Sequence, residues 1–217
     1  MKKILLTLSA LACAAGTLCS AAADKDFYVT MEGFGGAADA NIIKGFKKVS
    51  IGGFWSTAGT TVDLDSDLLS LDLAGILSIG GGSEEEDELT ATTYRGDKFS
   101  QADVFGGLQV GLQFNLTETV HLTAGLMGGV DVRSARLESK GNVGGVPWDV
   151  DKTDSDIGVF YGAYLRVDTR LTDRWSLTAS GRWMGTTAEN DFKVAGATVE
   201  TEKVNYAVIT VGVRFAF

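Results

Sequence analysis

The stretch that decides the fold is Val204–Phe217, which reads VNYAVITVGVRFAF. Every second residue from Ala207 to Phe217 is apolar, and the other row includes Thr210, Gly212 and Arg214. Successive side chains of a strand point to opposite faces, so this pattern predicts a strand with one wholly apolar face. About ten residues of this kind are enough to cross a bilayer as a tilted strand.

Seven further segments alternate in the same way. In the fifth, Leu122, Ala124 and Leu126 share one face, and His121 and Thr123 share the other. The segments lie at about Phe27–Gly35, Lys47–Ser56, Val62–Ile79, Ser100–Leu116, Val120–Arg133, Val159–Arg170 and Trp175–Trp183. Between them the sequence predicts short turns at Thr57–Thr61, Thr117–Thr119 and Thr172–Arg174, and long loops at Gly36–Phe46, Gly80–Phe99, Glu138–Asp156 and Thr186–Glu202.

The length and the charge pattern of these segments decide between two all-β folds. Strands of a soluble sandwich average about five or six residues, and their polar faces meet water. Here the segments run well past that length, and their polar rows carry isolated charges among Ser, Thr and Gly. The pattern fits apolar residues that face lipid and polar residues that face inward. We therefore predict an eight-stranded antiparallel up-and-down transmembrane β-barrel.

The alternation of short turns with long loops, together with the aromatic closing strand, resembles the small outer-membrane barrels of the OmpA transmembrane-domain, OmpX and opacity-protein type. The resemblance covers about Phe27–Phe217. It implies short turns on the periplasmic side, long loops outside, and Phe217 as part of the signal read by the barrel assembly machinery. It also implies a monomer in outer-membrane lipid, a non-enzymatic role in envelope integrity, and adhesion to an extracellular ligand or host surface through four long loops.

The N-terminus predicts a secretory signal peptide. Lys2 and Lys3 precede an uncharged apolar run from Ile4 to Leu18, and three alanines precede Asp24. This is the order of a positive region, an apolar region and a small-residue cleavage site. We expect residues 1–23 to be removed and residues 24–217 to form the barrel domain in the outer membrane. Both cysteines lie within the predicted signal peptide, so we expect no disulfide in the mature protein.

The charge of the chain limits its partners. The 217 residues carry a formal net charge of −9, and loss of the signal peptide's two lysines makes the chain more acidic. Nucleic-acid binding needs clusters of basic residues, so we expect no nucleic-acid partner. The composition also includes 28 glycines and a single proline, which suits curved strands with unbroken hydrogen-bond ladders.

The inward rows predict a network of charges inside the barrel. Its members are Glu32, Asp72, Asp131 and Asp168 with Arg133, Arg166, Arg170, Arg182 and Arg214. The interior of an eight-stranded barrel is just filled by side chains, so charges there must pair. We interpret the network as a plug. The alternative is a narrow solute pore, which would need a continuous water path.

His121, the single histidine, raises the alternative of an enzyme that modifies outer-membrane lipid. Such chemistry needs a nucleophile within hydrogen-bond reach of the base and a third group that orients the base. Thr123 is the nearest hydroxyl in sequence, and Ser176 or Ser180 could approach only through the fold. We interpret His121 as a polar filler and expect no catalytic residues.

Two acidic segments could suggest a cation site. Glu84–Glu88 is an unbroken acidic run in a predicted flexible loop, and Asp63–Asp67 alternates carboxylates like half of a calcium loop. The glycine and the distal glutamate of an EF-hand are missing. We expect a solvated loop, no metal ligands and no cofactor, and leave weak cation binding by the acidic loop as an alternative.

Aromatic residues at strand ends predict girdles at the membrane interfaces. Trp55 and Trp175 flank predicted short turns, Trp183 lies further along its strand, and Phe217 ends the chain. We expect these four side chains to face outward.

Overall fold

The structure is a computed structural model that describes residues 26–39, 48–64, 68–89, 93–143, 146–194, 197–200 and 204–217. The predicted signal peptide lies outside the described residues. None of the described residues forms a helix of the length and apolar character that a membrane span requires.

Ten strands account for nearly all of the described chain. Eight of them close into one antiparallel barrel in the order β1-β10-β7-β6-β5-β4-β3-β2, and the other two form a separate hairpin, β8–β9. The strands are β1 (Asp26–Asp39), β2 (Val49–Asp63), β3 (Leu69–Leu89), β4 (Thr93–Asn115), β5 (Val120–Val143), β6 (Val146–Arg170), β7 (Trp175–Thr186), β8 (Asp191–Val194), β9 (Ala197–Glu200) and β10 (Asn205–Ala216). The predicted eight-stranded antiparallel barrel is confirmed.

The closing strand pairs with both of its expected neighbours. Val213 on β10 lies opposite Met31 on β1 and opposite Leu177 on β7. All three side chains point to the outside of the barrel, where each is more than one third exposed. Because side chains alternate along a strand, this register puts the apolar rows of neighbouring strands on one continuous outer surface.

The barrel has two different ends. At the turn end, short connections join β2 to β3, β4 to β5 and β6 to β7, and the first and last barrel strands meet there as Tyr28 pairs with Ala216. At the hairpin end, β3 and β4 continue together to the pair Leu89 and Tyr94, and β5 and β6 continue to Val143 and Val146. These four strands contain 21, 23, 24 and 25 residues, whereas β1, β2, β7 and β10 contain 14, 15, 12 and 12. One side of the barrel therefore rises well above the other.

Two predicted boundaries were wrong at the start of the chain. The segment Thr57–Thr61, predicted as a turn, lies inside β2, and β3 begins at Leu69 rather than at Val62. Threonine favours strands, so the run of threonines and small residues continues the ladder instead of ending it. The turns near residues 117–119 and 172–174 lie where they were predicted.

Most of the predicted long loops were wrong as well. Residues 80–99 and 138–156 form paired strands almost throughout, and residues 186–202 contain the β8–β9 hairpin. The acidic run Glu84–Glu88 is part of β3 and pairs with β4, so it is not a loop. These stretches escaped detection because their inner face carries only scattered apolar residues such as Phe99, so the alternation that signals a strand is weak. Of the first predicted loop, residues 36–39 belong to β1 and residues 40–47 lie outside the described residues.

The outside of the barrel is apolar and the inside is packed. Leu126 is 65% exposed and Ile209 is 70% exposed, although both lie in the middle of regular strands. Large apolar side chains rarely cover the water-exposed surface of a soluble protein in this way, so this surface suits lipid. The interior also contains an apolar cluster, which sequence alternation did not predict. Its buried members are Ala38, Val49, Ile51, Trp55, Ile76, Phe99, Phe105, Met127, Ala135, Leu137, Phe160, Tyr164, Met184, Phe192, Val204, Tyr206 and Val208.

Candidate functional site

Three groups of buried charges lie one above another along the barrel axis. We call them the inner, middle and outer ionic clusters, starting from the turn end. The inner cluster contains Asp72, Arg166, Asp168 and Arg214, the middle cluster contains Glu32 and Arg182, and the outer cluster contains Asp103, Asp131 and Arg133. Apart from Arg214, which is slightly exposed, these side chains are essentially inaccessible to solvent.

The inner cluster is centred on Arg166 of β6. Its Nη2 atom lies 3.1 Å from Asp72 Oδ1, and its Nε atom lies 2.9 Å from Asp168 Oδ2. Arg214 reaches the same Asp168 oxygen at 2.8 Å from β10. Buried charges are tolerated only when they are paired and their remaining hydrogen-bonding capacity is used. Here two guanidinium groups face two carboxylates, so the cluster is electrically balanced.

Two tyrosines complete the hydrogen bonding around Asp72. The Tyr28 hydroxyl donates to Oδ1 at 2.5 Å, and the Tyr164 hydroxyl donates to Oδ2 at 3.0 Å. A glycine makes room for the second contact, because a Cβ at Gly111 would lie 2.5 Å from the Tyr164 hydroxyl oxygen. The inner cluster therefore ties β1, β3, β6 and β10 together across the barrel.

The middle cluster links β1 to β7 and β10. Arg182 Nη1 donates to Glu32 Oε2 at 2.6 Å and to Thr210 Oγ1 at 2.9 Å. The Thr210 hydroxyl in turn donates to the same Glu32 oxygen at 2.7 Å, and Ser180 lies 2.6 Å from Thr210 between the hydroxyl oxygens. The Arg182 guanidinium carbon also lies 4.3 Å from the centre of the Trp55 ring, a distance typical of a cation–π contact.

Trp55 corrects a prediction. The sequence predicted that this side chain would face outward in an aromatic girdle, but it is 1% exposed and lies inside the barrel. Val49 and Ile51 are buried on the same face of β2. The alternation on β2 was identified correctly, but its apolar row faces inward because it packs in the interior apolar cluster.

The outer cluster surrounds Arg133 of β5. Its Nε atom donates to Asp103 at 2.9 Å, and its Nη2 atom donates to the Tyr206 hydroxyl at 2.6 Å and approaches Asp131 Oδ2 at 3.4 Å. Its Nη1 atom donates to the backbone carbonyl of Ala188 at 2.9 Å. One arginine thus joins β4, β5 and β10 to the segment that follows β7.

Aromatic rings separate the middle and outer clusters. The Phe105 ring centre lies 5.3 Å from that of Phe160, 5.4 Å from that of Tyr206 and 6.5 Å from that of Trp55. The first two contacts are edge-to-face, the arrangement that aromatic pairs prefer. We call Phe105, Phe160 and Tyr206 the aromatic layer.

Not every predicted interior charge joins a cluster. Arg170 has inward parity, but it lies at the turn end of β6, where it is exposed and makes no ion pair with any described residue. Asp103, in contrast, was missed by the sequence analysis although it has the parity of Gln109 and Gln113 on the same strand. Following that inward row three alternate residues further, from Gln109 through Gly107 and Phe105, would have reached Asp103. The interior network of the described residues therefore has four arginines and five carboxylates, not five and four.

A second set of ion pairs lies outside, on the long strands. Arg136 on β5 binds both carboxylate oxygens of Asp151 on β6, at 2.8 and 2.6 Å, and lies 3.3 Å from Glu138. Lys98 on β4 pairs with Glu85 on β3. The hydrogen bonds from Arg136 hold the pKa of the Asp151 carboxyl below its ordinary value. Cross-strand pairs of opposite charge stabilise a sheet face that is exposed to water. These pairs lie on the outer face of the long strands, whose inner face buries Phe99, Ala135 and Leu137.

The remaining predicted tryptophans lie on the outside of the barrel. Trp175 is 47% exposed and its ring centre lies 4.8 Å from that of Phe215, which in turn lies 5.0 Å from that of Phe217. Trp183 is also exposed and lies further towards the hairpin end. Trp175, Phe215 and Phe217 thus form an external aromatic cluster at the turn end.

His121 lies at the turn end, and no Ser or Thr hydroxyl of the described residues lies within hydrogen-bond distance of its ring. Its Nδ1 atom lies 2.8 Å from the side-chain oxygen of Asn115, and Ser180 is engaged with Thr210. Among the described residues no three His, Cys, Asp or Glu side chains converge on a point that could hold a metal ion. Asp65 and Asp67 of the second acidic segment lie outside the described residues.

No family model and no curated protein sequence matches the chain. Solved structures with a similar fold include Ail, the attachment invasion locus protein of Yersinia pestis, at 14% identity and a TM-score of 0.47 over 89% of this chain and 99% of that one. Neisserial surface protein A is 17% identical, with a TM-score of 0.44 over 88% and 97%. The outer membrane protease OmpT of Escherichia coli is 10% identical, with a TM-score of 0.49 over 90% and 98%. At these identities the likeness concerns the fold alone.

Proposed function

We propose that this protein is a non-enzymatic surface protein of the bacterial outer membrane, which binds an external partner through the sheet that rises above the barrel. The apolar outer surface and the closed ring of strands support a place in a membrane, since a closed barrel satisfies its backbone hydrogen bonds in lipid. The short turns then face the periplasm and the long strands face outside. The packed ionic clusters support a structural plug rather than a pore, and the surroundings of His121 support a role other than catalysis.

The parts of β3, β4, β5 and β6 that extend beyond the other barrel strands, residues 83–100 and 134–156, are called the rising sheet. The observation that carries the proposal is that two strand edges of this sheet have no partner strand among the described residues. Pairing between β2 and β3 ends at Ile51 and Gly82, so among the described residues β3 has no partner strand on one side beyond Gly82. Pairing between β6 and β7 begins at Phe160 and Thr186, and no strand of the described part of the chain pairs with this edge of β6 from Val146 to residue 153. Edge strands expose unpaired N–H and C=O groups, which are a template for another strand.

The charge of the rising sheet indicates what kind of partner it fits. Residues 83–100 and 134–156 contain eleven acidic and five basic residues. The excess of carboxylates favours a cationic polypeptide in extended conformation and disfavours polyanions. An extended segment added to a sheet edge gains main-chain hydrogen bonds, and its side chains give selectivity.

Two hairpin tips can be trimmed to test the proposal. Replacing residues 86–97 by Asn-Gly would join the paired residues Glu85 and Lys98, and replacing 139–150 by Asn-Gly would join the paired residues Glu138 and Asp151. Asn-Gly forms the tight turn that two-residue hairpins prefer. The full-length protein and the trimmed variant, both in lipid nanodiscs, would be titrated with a peptide of alternating lysine and valine.

We expect the Lys–Val peptide to bind the full-length protein and to lose most of its affinity for the trimmed variant. A peptide of equal charge with proline in place of alternate valines cannot donate the same backbone hydrogen bonds, and we expect it to bind much more weakly. Equal binding of both peptides would contradict the role of the edges, and binding equal to that of empty nanodiscs would contradict the proposed function itself.

A further inference from the structure

The segment that follows β7 lies against the inner face of the rising sheet. We call residues 187–192 the strap. Along it Ala188, Asn190 and Phe192 are at most 1% exposed, whereas the residues between them are exposed. A burial pattern of period two is that of an extended chain with one face covered. The strap therefore has the conformation of an added strand, although the ladder between β6 and β7 ends at Thr186.

Two aspartates of β6 hold the strap through their side chains. Asp156 Oδ2 accepts a hydrogen bond from the backbone N–H of Glu189 at 2.9 Å, and Asp154 Oδ2 accepts one from the backbone N–H of Asp191 at 2.9 Å. In a regular ladder, alternate N–H groups of this kind donate to backbone carbonyls of the neighbouring strand. Here carboxylates take the place of those carbonyls, so the strap follows β6 without forming a ladder with it.

A glycine of β6 lets the strap approach closely. A Cβ at Gly158 would lie 2.2 Å from the backbone nitrogen of Ala188, closer than side chains approach in proteins. Arg133 Nη1 donates to the carbonyl of Ala188 at 2.9 Å, and the N–H of Thr187 donates to the carbonyl of Val159 at 2.9 Å. Glycine within a strand often marks a place where another backbone approaches closely. This part of β6 therefore forms a groove that fits an extended backbone.

The strap ends on the apolar inner face of the rising sheet. The Phe192 ring lies edge-on to the ring of Phe99 on β4, with 6.5 Å between the ring centres. Phe99 and Leu137 are 1% and 2% exposed on this face. Aromatic pairs prefer the edge-to-face arrangement at such distances. The groove thus runs from Gly158 to Phe99, with hydrogen-bond acceptors along β6 and an apolar seat at its far end.

The groove continues the unpaired edge on which the proposed function depends. No strand of the described part of the chain pairs with this edge of β6 from Val146 to residue 153, and the strap is attached from Asp154 onwards. The proposed partner is also an extended polypeptide, and adding it along the whole edge requires the strap to leave. Resting on that proposed function, we propose that the strap is an internal substitute for the partner, and that an external polypeptide binds the groove by displacing it.

The strap regulates the site and indicates what kind of partner fits it. Because the groove is vacant only while the strap is open, the apparent affinity for a partner is reduced by the open fraction. The attached strap also shortens the unpaired edge that could pair with other copies of the chain. The contacts of the strap show the chemistry that the groove recognises. They are backbone N–H groups two residues apart, which reach Asp156 and Asp154, and an aromatic ring, which reaches Phe99.

A peptide with the sequence of residues 186–194 tests the groove on the full-length protein in nanodiscs. Ala188→Leu enlarges a side chain that is 0% exposed, so we expect it to expel the strap and leave β6 unchanged. The peptide keeps Ala188 and should bind this variant severalfold more tightly than the parent protein. Adding Gly158→Val should abolish the gain, whereas adding Gly35→Val, where a Cβ meets nothing within 4 Å, should not. Equal binding to variant and parent would overturn the proposal, as would a gain that survives Gly158→Val.

Competition separates this inference from the proposed function. A peptide of alternating lysine and valine, long enough to span residues 146–159 of β6, should displace the strap peptide from the Ala188→Leu variant. Failure of the Lys–Val peptide to bind either protein would contradict the proposed function. Binding of the Lys–Val peptide without displacement of the strap peptide would overturn the present inference alone, because the two peptides would then occupy different sites.

Hydrogen exchange of the parent protein in nanodiscs gives a readout that needs no variant. Segments that open locally exchange their amide protons faster than the strands of a closed ladder. We expect the N–H groups of Glu189 and Asp191 to exchange together, and much faster than that of Ala179, which lies in β7 between two paired strands. Exchange as slow as that of Ala179 would show that the strap does not open apart from the barrel, and would overturn the proposal.

Discussion

At the residue scale, the buried arginines connect distant strands of the barrel. Arg133, Arg166, Arg182 and Arg214 each contact at least one carboxylate on another strand. Removing one member of a buried ion pair lowers the free energy of unfolding by far more than the intact pair contributes to it. The reason is that the remaining charge stays buried without a partner. The interior network therefore favours one strand register of the closed barrel, since a shifted register would leave several buried charges unpaired.

Arg166→Ala tests this reasoning. The substitution leaves Asp72 without a guanidinium partner, and Asp168 keeps only Arg214, so we expect the free energy of unfolding in lipid to fall by about 3–5 kcal/mol. The matched control is Arg136→Ala, which breaks an exposed pair and should change stability little. Urea titration of both variants gives the comparison, and a larger loss for Arg136→Ala would contradict the interior plug.

Leu126→Arg tests the facing of β5. Leu126 is 65% exposed on the outer surface, and an arginine near the bilayer midplane costs about 2–4 kcal/mol. We call the apolar outer surface of the barrel, which suits lipid, the apolar belt. Ser134 points to the same outer face of β5 but lies beyond this belt towards the hairpin end, so Ser134→Arg should be close to neutral. Equal effects of the two substitutions on unfolding in lipid would show that residue 126 does not face the bilayer core.

At the element scale, four strands continue beyond the apolar outer surface, with ion pairs on their outer face and buried apolar side chains such as Phe99 and Leu137 on their inner face. Arg136 and Asp151 pair on β5 and β6, and Lys98 and Glu85 pair on β4 and β3. The pKa of Asp151 is lowered in the folded state by its hydrogen bonds with Arg136. The stability that ionised Asp151 contributes is therefore fully present above the ordinary carboxyl pKa of about 3.9. It is lost as the pH falls through the lowered pKa of Asp151 in the folded state. As the pH is lowered, the tips of the β3–β4 and β5–β6 hairpins should lose their structure before the barrel unfolds.

Trimming the β3–β4 tip tests whether that element is dispensable for the barrel. Replacing residues 86–97 by Asn-Gly removes much of the acidic run but keeps the closing pair of Glu85 and Lys98. We expect the urea midpoint to stay within the error of the parent value, since exposed charges contribute little to stability. A strongly lowered midpoint would show that the acidic run is structural, as it would be if it held a cation.

At the scale of the whole molecule, closure removes every strand edge within the apolar belt. β1 pairs with both β2 and β10, so each described barrel strand has a partner on both sides within the ring. Towards the hairpin end the lengths of the strands differ, and β3 and β6 each have one edge without a partner strand among the residues that the structure describes. Acidic residues on these edges limit pairing between copies of the chain, as charged edge strands do in soluble proteins.

Deletion of Phe217 tests how the whole barrel is assembled. Phe217 is 73% exposed and packs edge-on against Phe215 at the turn end, so its removal should disturb folded packing little. We expect the deletion to lower the amount of protein in the outer membrane, because the terminal aromatic is part of the predicted assembly signal. Phe217→Trp keeps an aromatic end and should retain normal levels. Folded barrel is measured by the faster migration of unheated samples on denaturing gels, and normal levels of the deletion variant would contradict the signal.

Alternation alone determined the ring of strands in the bilayer. The row from Ala207 to Phe217 and the row through Leu122 and Leu126 have one apolar and one polar face, so their facing follows from the pleat. The same parity placed Arg166 inside the barrel, and it would have placed Asp103 there if the row had been followed further. Alternation shows whether a side chain points inward or outward, but it does not show where along the barrel axis the packed interior ends. Arg170 was wrongly placed in the network for this reason.

Contacts between distant strands decided the rest. Trp55 lies inside because Arg182 and Phe105, more than a hundred and about fifty positions away in sequence, surround its ring in the closed barrel. In the rising sheet, Phe99 packs against Phe192 and Arg136 pairs with Asp151, and no single segment shows these contacts. The sequence by itself determined which face of each membrane strand meets lipid, since that depends on local periodicity. Only the tertiary structure decided the interior layers and the length of the strands, since both depend on which side chains closure brings together.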